Sequence, residues 1–399
     1  MRVIGTKALG LRTPIIRESD DLAAVVCQSV NDAIEHENIK INDGDIIGIT
    51  EAVVARSQGN YASLDQIAQD VKTQFAPMTA GGQSHIGVVF PILSRNRFAM
   101  LLKGIARGAD KITVLLSYPG DEVGNQLISW DDVDEKKLNP YSDCLSEAEY
   151  RRLFGNEIKH RFTGIDYVAY YKSLGANIEI VLCADPKRII DYTDLVIAAD
   201  IHTRARTKRA LSAAGAKKVI GIDDLLTKPV NGSGFNEQFG LLGSNKATEE
   251  RVKLFPRDCE SFVERMQKAL KEISGKTIEV LVYGDGGFKD PVGGIWELAD
   301  PVVAPAFTSG LKGTPNELKL KYLADNNFAD LSKDEARKAI EKAIQAKAGV
   351  DQMGKMESEG TTPRRLTDLL GSLCDLVSGS GDKGTPVVLI QGYFDNYAS

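Results

Sequence analysis

The chain has 399 residues, 43% of them hydrophobic and 26% charged, which is material for two or three globular units and argues against extended disorder. Lys and Arg number 49 against 55 Asp and Glu, and the net charge of −6 gives no overall electrostatic reason to bind nucleic acid or an anionic membrane. Cys27, Cys144, Cys183, Cys259 and Cys374 have neither metal-ligand nor disulfide spacing, and the N-terminus lacks a signal-peptide pattern. No stretch approaches the ~20 apolar residues of a membrane span, so the expected setting is the cytoplasm.

In chain order, apolar residues recur at helical spacing from Asp21 to about Glu37 (Leu22, Val25, Val26, Ser29, Ala33). DGDIIGITEAVVARSQGN then reads as a strand. Short β-rich runs follow at Ile86–Ile92, Ile112–Ser117, Ile178–Cys183, Leu195–Ala199 and Val219–Ile222, with helical stretches at Phe98–Arg107 and Arg206–Ala214 between them. That alternation predicts crossover units and a largely parallel sheet. Leu226 to Asn245, rich in Gly and Asn, reads as a long structured loop. A helix from Glu260 to Ile273 leads into a strand from Ile278 to Tyr283, and 331–348 reads as a solvated amphipathic helix.

After the Ile278–Tyr283 strand, GDGGFKDPVGG places Asp285 and Asp290 in a glycine-rich loop. Carboxylates at a strand end suit Mg²⁺ or Mn²⁺, which take oxygen ligands; two solvated aspartates in a glycine turn fit the same residues equally well. SYPGDEVGN offers Asp121 and Glu122 on the same terms, as a second metal or substrate site or as a turn. In EGTTPRRLTDLLGSLCDLV, Thr362 suits an N-cap and Pro363 a first helical position. Leu366, Leu369, Leu370, Leu373 and Val377 form the buried stripe, and Arg364, Arg365, Asp368, Ser372 and Asp375 the polar face. Two first-turn arginines oppose the helix dipole unless they face an anion or an acid such as Glu357 or Glu359. SGSGDKGTP presents Lys383 in a flexible loop that is not a Walker A sequence and reads from the residues alone as a solvated linker. Ser94 precedes Arg95 and Arg97 at another helix start, a second candidate anion contact. His36, His85, His160 and His202 show no zinc-ligand spacing, and neither G-x-S-x-G nor a strand-borne G-x-G-x-x-G occurs.

These segments together resemble the coenzyme F-420 γ-glutamyl ligases. LRTPIIRESDDLAAVV with DGDIIGITEAVVARSQGN is similar to the family's opening, with Arg56 where the family has a lysine. GLLGSNKATEERVKLFPRD keeps Ser244 and Asn245 but has Leu242 at the family's first metal-binding aspartate. VLVYGDGGFKDP keeps Asp285, followed by Gly286 in place of a threonine, and RRLTDLLGSLCDLVSGSGDKGTPVVLIQG resembles the closing helix, lysine loop and strand.

The resemblance implies an α/β (mixed α+β) fold, with a ligase-like core of residues 1–80 and 241–399 and an inserted α/β unit of residues 81–240. It implies GTP or ATP as co-substrate, contacted by Arg56, Ser244, Asn245, Arg364, Arg365 and Lys383. Mg²⁺ or Mn²⁺ would sit at Asp285, helped by Asp290, Asp121 or Glu122. L-glutamate would be joined to a carboxylate substrate through an acyl phosphate, in a homodimer without nucleic-acid or membrane partners. Metal-dependent phosphate transfer or hydrolysis and non-catalytic nucleotide sensing are the alternatives, and Leu242 favours these two.

Overall fold

The computed structural model describes residues 3–79, 82–290, 292–297, 299–347, 354–358, 364–379, 381–396 and 398. Three strands precede residue 80: β1 (Lys7–Leu11), β2 (Ile46–Thr50) and β3 (Tyr61–Ser63). Six follow: β4 (His85–Val89), β5 (Lys111–Leu116), β6 (Leu145–Ser146), β7 (Ile178–Leu182), β8 (Leu195–Ala198) and β9 (Lys218–Gly221). Then come β10 (Asn245–Lys246), β11 (Arg251–Lys253), β12 (Glu279–Tyr283), β13 (Phe288–Lys289), β14 (Trp296–Glu297), β15 (Ala306–Phe307) and β16 (Val387–Gln391). Alternation of these strands with helices makes the fold mixed α/β.

A five-stranded sheet takes strands from both ends of the chain, in the order β1-β16-β2-β12-β15. Its central strands are buried on both faces, as their near-continuous apolar sequences require. Alternate residues divide between two layers. Ile47, Ile49, Val280, Val282, Val387 and Leu389 pack against the Leu22–Glu37 and Cys259–Ser274 helices. Ile46, Leu281, Tyr283, Val388 and Ile390 pack against Leu370 and Cys374 of the Leu366–Ser378 helix. The approach on that side is close enough to require glycine, since a Cβ on Gly48 would lie 2.4 Å from Cys374 Sγ.

The strands between residues 85 and 221 form a separate six-stranded sheet, β6-β7-β5-β4-β8-β9, parallel except for the edge strand β6. Its core includes residues before 81 and after 240: Leu64, Ile67, Val71 and Phe75 of the Leu64–Thr79 helix, and Leu241, Leu242, Val252 and Leu254. A three-stranded sheet, β10-β11-β3, lies between the two in sequence. Among the described residues no helix is long and apolar enough to cross a membrane.

Several elements begin or end where local chemistry dictates. The run expected to continue to Ile92 stops at Val89, because Phe90 takes a positive φ of 55° and Pro91 has no N–H for the ladder. The final helix begins at Leu366, later than the first position expected at Pro363; Thr362, Pro363 and Glu359 lie outside the described residues. Arg365 is its N-cap, extended at φ −65° and ψ 146°, so neither arginine belongs to the first turn. Asp375, expected on the polar face, is buried together with Thr367 and Ser378, because the helix packs against the sheet on one side and the Asp285 loop on another.

Candidate active site

The carboxyl end of β2 opens into a cleft of about 1250 Å³. Thr50 ends the strand and caps the Glu51–Ser57 helix by accepting the Ala52 N–H, and Arg56 in that helix's last turn reaches the cleft wall. The β10–β11 hairpin supplies Asn245, Lys246, Arg251 and Lys253, the 381–386 loop supplies Gly381, Asp382, Gly384 and Pro386, and β12 ends at Tyr283, directly before Gly284 and Asp285. Six basic side chains (Arg17, Arg56, Arg97, Lys246, Arg251, Lys253) line the cleft against three acidic ones (Glu18, Asp285, Asp382). A chain of net charge −6 thus concentrates positive charge here, as an anion site requires.

Two buried ion pairs hold the floor. Arg97 donates from Nη2 to Asp285 at 2.7 Å and from Nη1 to Asp300 at 2.7 Å, while the other Asp300 oxygen accepts the Asp285 backbone N–H at 2.8 Å. Burial and then the neighbouring Asp300 push the Asp285 carboxyl up to about 8, against the opposing pull of Arg97. Burial alone would weaken the Arg97 charge, but Asp300 and Asp285 outweigh it and hold the guanidinium above its usual range. Beside them Lys253 Nζ donates to both oxygens of buried Glu51, at 2.9 and 3.0 Å; burial raises the Glu51 carboxyl and Lys253 opposes that rise.

The Asp285 loop lies tightly on the last helix. Gly286 donates its N–H to Asp375 at 3.1 Å and Gly287 donates to Ser372 Oγ at 2.9 Å. A Cβ on Gly286 would lie 2.9 Å from the Ser372 Cα, so a threonine there would force the loop off the helix.

A family model for F420-0:gamma-glutamyl ligases matches residues 10–392. The chain belongs to the F420-0:gamma-glutamyl ligase family. No curated protein matches it. Membership makes the chain an enzyme of a ligase family, and the match runs across both large sheets and the cleft.

Of the nucleotide contacts expected in this ligase, Arg56 and Asn245 line the cleft. Ser244 is buried on the other side of its segment and donates its hydroxyl to Leu241 O at 2.6 Å. Arg364 lies beside Gly287, and Arg365 is exposed and paired with Asp368 at 3.0 Å. Lys383 folds back over Gly379 while Gly381, Asp382 and Gly384 line the cleft.

The four expected metal ligands do not converge. Asp121 accepts the backbone N–H groups of Leu93, Val123 and Asn125 and the Asn125 side-chain amide, all at 2.8–3.1 Å; burial lifts its carboxyl to about 6. Glu122 accepts from the backbone of Ile201, His202 and Thr203, and Asp290 from Gly293. Each carboxylate is taken up by backbone N–H groups, across 79 to 81 positions in the case of Glu122. Leu242 is buried in the core, and Asp285 is held by Arg97. Among the described residues no three His, Cys, Asp or Glu side chains gather to hold a metal ion. Of the four, Asp285 alone lines the cleft.

Sequence reasoning did not find the Glu51–Lys253 pair, the Arg251 guanidinium stacked 4.9 Å from the Tyr61 ring centroid, or the role of Asp300. Arg97 stood out only as one of two arginines near a helix start.

Proposed function

We propose that this cleft binds a nucleoside triphosphate, GTP or ATP, and uses it to join L-glutamate to a carboxylate substrate. The substrate carboxylate attacks the γ-phosphorus, the nucleoside diphosphate leaves, and an acyl phosphate forms. The glutamate amine then attacks the acyl carbon, the carbon–oxygen bond to phosphate breaks, and the products are an amide, inorganic phosphate and a released proton. The reading draws support from one observation above others: Arg56 and Asn245, 189 positions apart in sequence, meet in one basic cleft, and Arg56 forms no ion pair within 4.0 Å among the described residues. A guanidinium without an internal counter-charge is available to a phosphate, with which it forms paired charge-assisted hydrogen bonds. Fixed charge at such a site stabilises the developing phosphate charge without reorganisation during reaction.

The test is mass spectrometry of F420-0 incubated with the full chain, L-glutamate and GTP or ATP, alongside phosphate release. The proposal expects one glutamyl residue added and phosphate released only when acceptor and glutamate are both present. Phosphate release needing neither would replace the ligase reading with hydrolysis.

A further inference from the structure

The loop that leaves β4 carries Arg97 out of the six-stranded sheet and into the cleft beside the five-stranded one. In the order β7-β5-β4-β8-β9 the winding reverses between β4 and β8, and open parallel sheets bind ligands outside the carboxyl ends of strands at such a point. Here the protein fills that crevice itself. Leu241 and Leu242 pack there with Ile92, Phe98, Leu101 and Ala199, leaving about 20 Å³, room for about one water. On the β8 side the N–H groups of Ile201, His202 and Thr203 are taken by Glu122. What this sheet contributes to the cleft is Ser94, Asn96 and Arg97, of which Arg97 alone is charged.

Arg97 sits where a cation is needed. Its two terminal nitrogens each lie 2.7 Å from one buried carboxylate, Asp285 or Asp300. A divalent ion at Asp285 would have to compete for the oxygen that accepts from Arg97. It would find Leu242 rather than an acid in the neighbouring segment, and Glu51 already bound through both oxygens by Lys253. Arg97 also has donors beyond the two that those carboxylates use, and it lines the cleft.

We propose that Arg97 is the built-in cation of this active site, holding Asp285 in place of a divalent metal and presenting its guanidinium to the nucleotide phosphates, so that phosphate binding here needs no Mg²⁺ or Mn²⁺. The phosphate contact rests on the nucleotide reading above; the replacement of the metal does not. A planar guanidinium matches phosphate geometry and cannot be lost to a chelator.

The experiment is a Mn²⁺ titration of the full chain followed by electron paramagnetic resonance, with calorimetric titrations of GTP and ATP in EDTA and in Mg²⁺. Wild type is expected to leave equimolar Mn²⁺ free and to bind nucleotide with affinities that agree within about twofold in the two buffers. Arg97→Ala, which releases both carboxylates, is expected to take up Mn²⁺ and to bind nucleotide in EDTA at least about tenfold more weakly. Should that variant fail to fold, Arg97→Lys keeps a positive charge beside Asp285. It is expected to stay silent to Mn²⁺ and to bind nucleotide more weakly than wild type. Stoichiometric Mn²⁺ binding to wild type that Asp285→Asn abolishes overturns the proposal whether or not nucleotide binds. Nucleotide binding that disappears in EDTA overturns it as well. If neither nucleotide binds in either buffer, the nucleotide reading and the phosphate contact both fail, and the Mn²⁺ titration still decides whether Arg97 replaces the metal.

Discussion

Asp300 fixes Asp285 twice: one oxygen accepts the Asp285 backbone N–H at 2.8 Å, and the other binds the same Arg97 that pairs with the Asp285 carboxylate. A single carboxylate with 1% side-chain exposure therefore sets both the path of the loop and the charge beside it. Removing one partner of a buried ion pair leaves the other uncompensated, at ~3–5 kcal/mol. Asp300→Ala is expected to lower unfolding free energy by ~3 kcal/mol or more in urea denaturation; a loss under ~1 kcal/mol would contradict this role.

Glu51 and Lys253 form the second pair, with side chains 5% and 11% exposed. Lys253→Met alone leaves the Glu51 carboxylate buried without its partner, whereas Glu51→Leu with Lys253→Met removes both charges together. The double variant is expected to be more stable than Lys253→Met, with a coupling energy on the order of 1–3 kcal/mol in a double-mutant cycle. Additive effects would show that the pair is not coupled.

The Asp285 carboxyl is lifted from 3.8 to about 8 by burial and then by Asp300, while Arg97 pulls it back down. The folded state holds a proton that the unfolded chain releases between those values, so stability from this group falls as pH rises toward 8. Ionisation adds a negative charge beside Asp300, Glu51 and Asp375, offset by Arg97. Nucleotide affinity is therefore expected to fall several-fold between about pH 7 and about pH 9, and Asp285→Asn to flatten that profile. Equal slopes in the two proteins would exclude Asp285 as the titrating group.

Leu242, 1% exposed, fills the crevice between β4 and β8, at the position where the resembled family has an aspartate. Leu242→Ala is expected to cost ~2–5 kcal/mol in denaturant unfolding, as large cavities in packed cores do. A cost under ~1 kcal/mol would mean the crevice collapses without it.

Periodicity made much of the fold legible. The helix from Leu22 buries Leu22, Val26, Ser29 and Ala33, and the parallel strands fall where short β-rich runs alternate with helices, because burial on a fixed face leaves a local imprint. Arg56 and Asn245 were legible through their segments. Arg97 was visible as a cation but not as the partner of Asp285, 188 positions away, because no local pattern encodes a contact between two sheets. Asp121, Glu122 and Asp290 were ambiguous in the sequence, because a strand-end carboxylate that accepts backbone N–H groups has the same sequence signature as one that waits for a metal. The first turn expected around Arg364 and Arg365 gave way to an extended Arg365 paired with Asp368, a choice the helical period does not distinguish.

Arg56 is the most direct probe of the claim that the basic cleft is the nucleotide site, because it lines the cleft and forms no ion pair within 4.0 Å among the described residues. Calorimetric titration of GTP and ATP into wild type and Arg56→Ala measures that claim. A charge-assisted hydrogen bond contributes ~1.5–3 kcal/mol, so the variant is expected to bind at least about tenfold more weakly while unfolding at the same urea concentration as wild type. Unchanged affinity in a folded Arg56→Ala protein would place the nucleotide elsewhere and contradict the account.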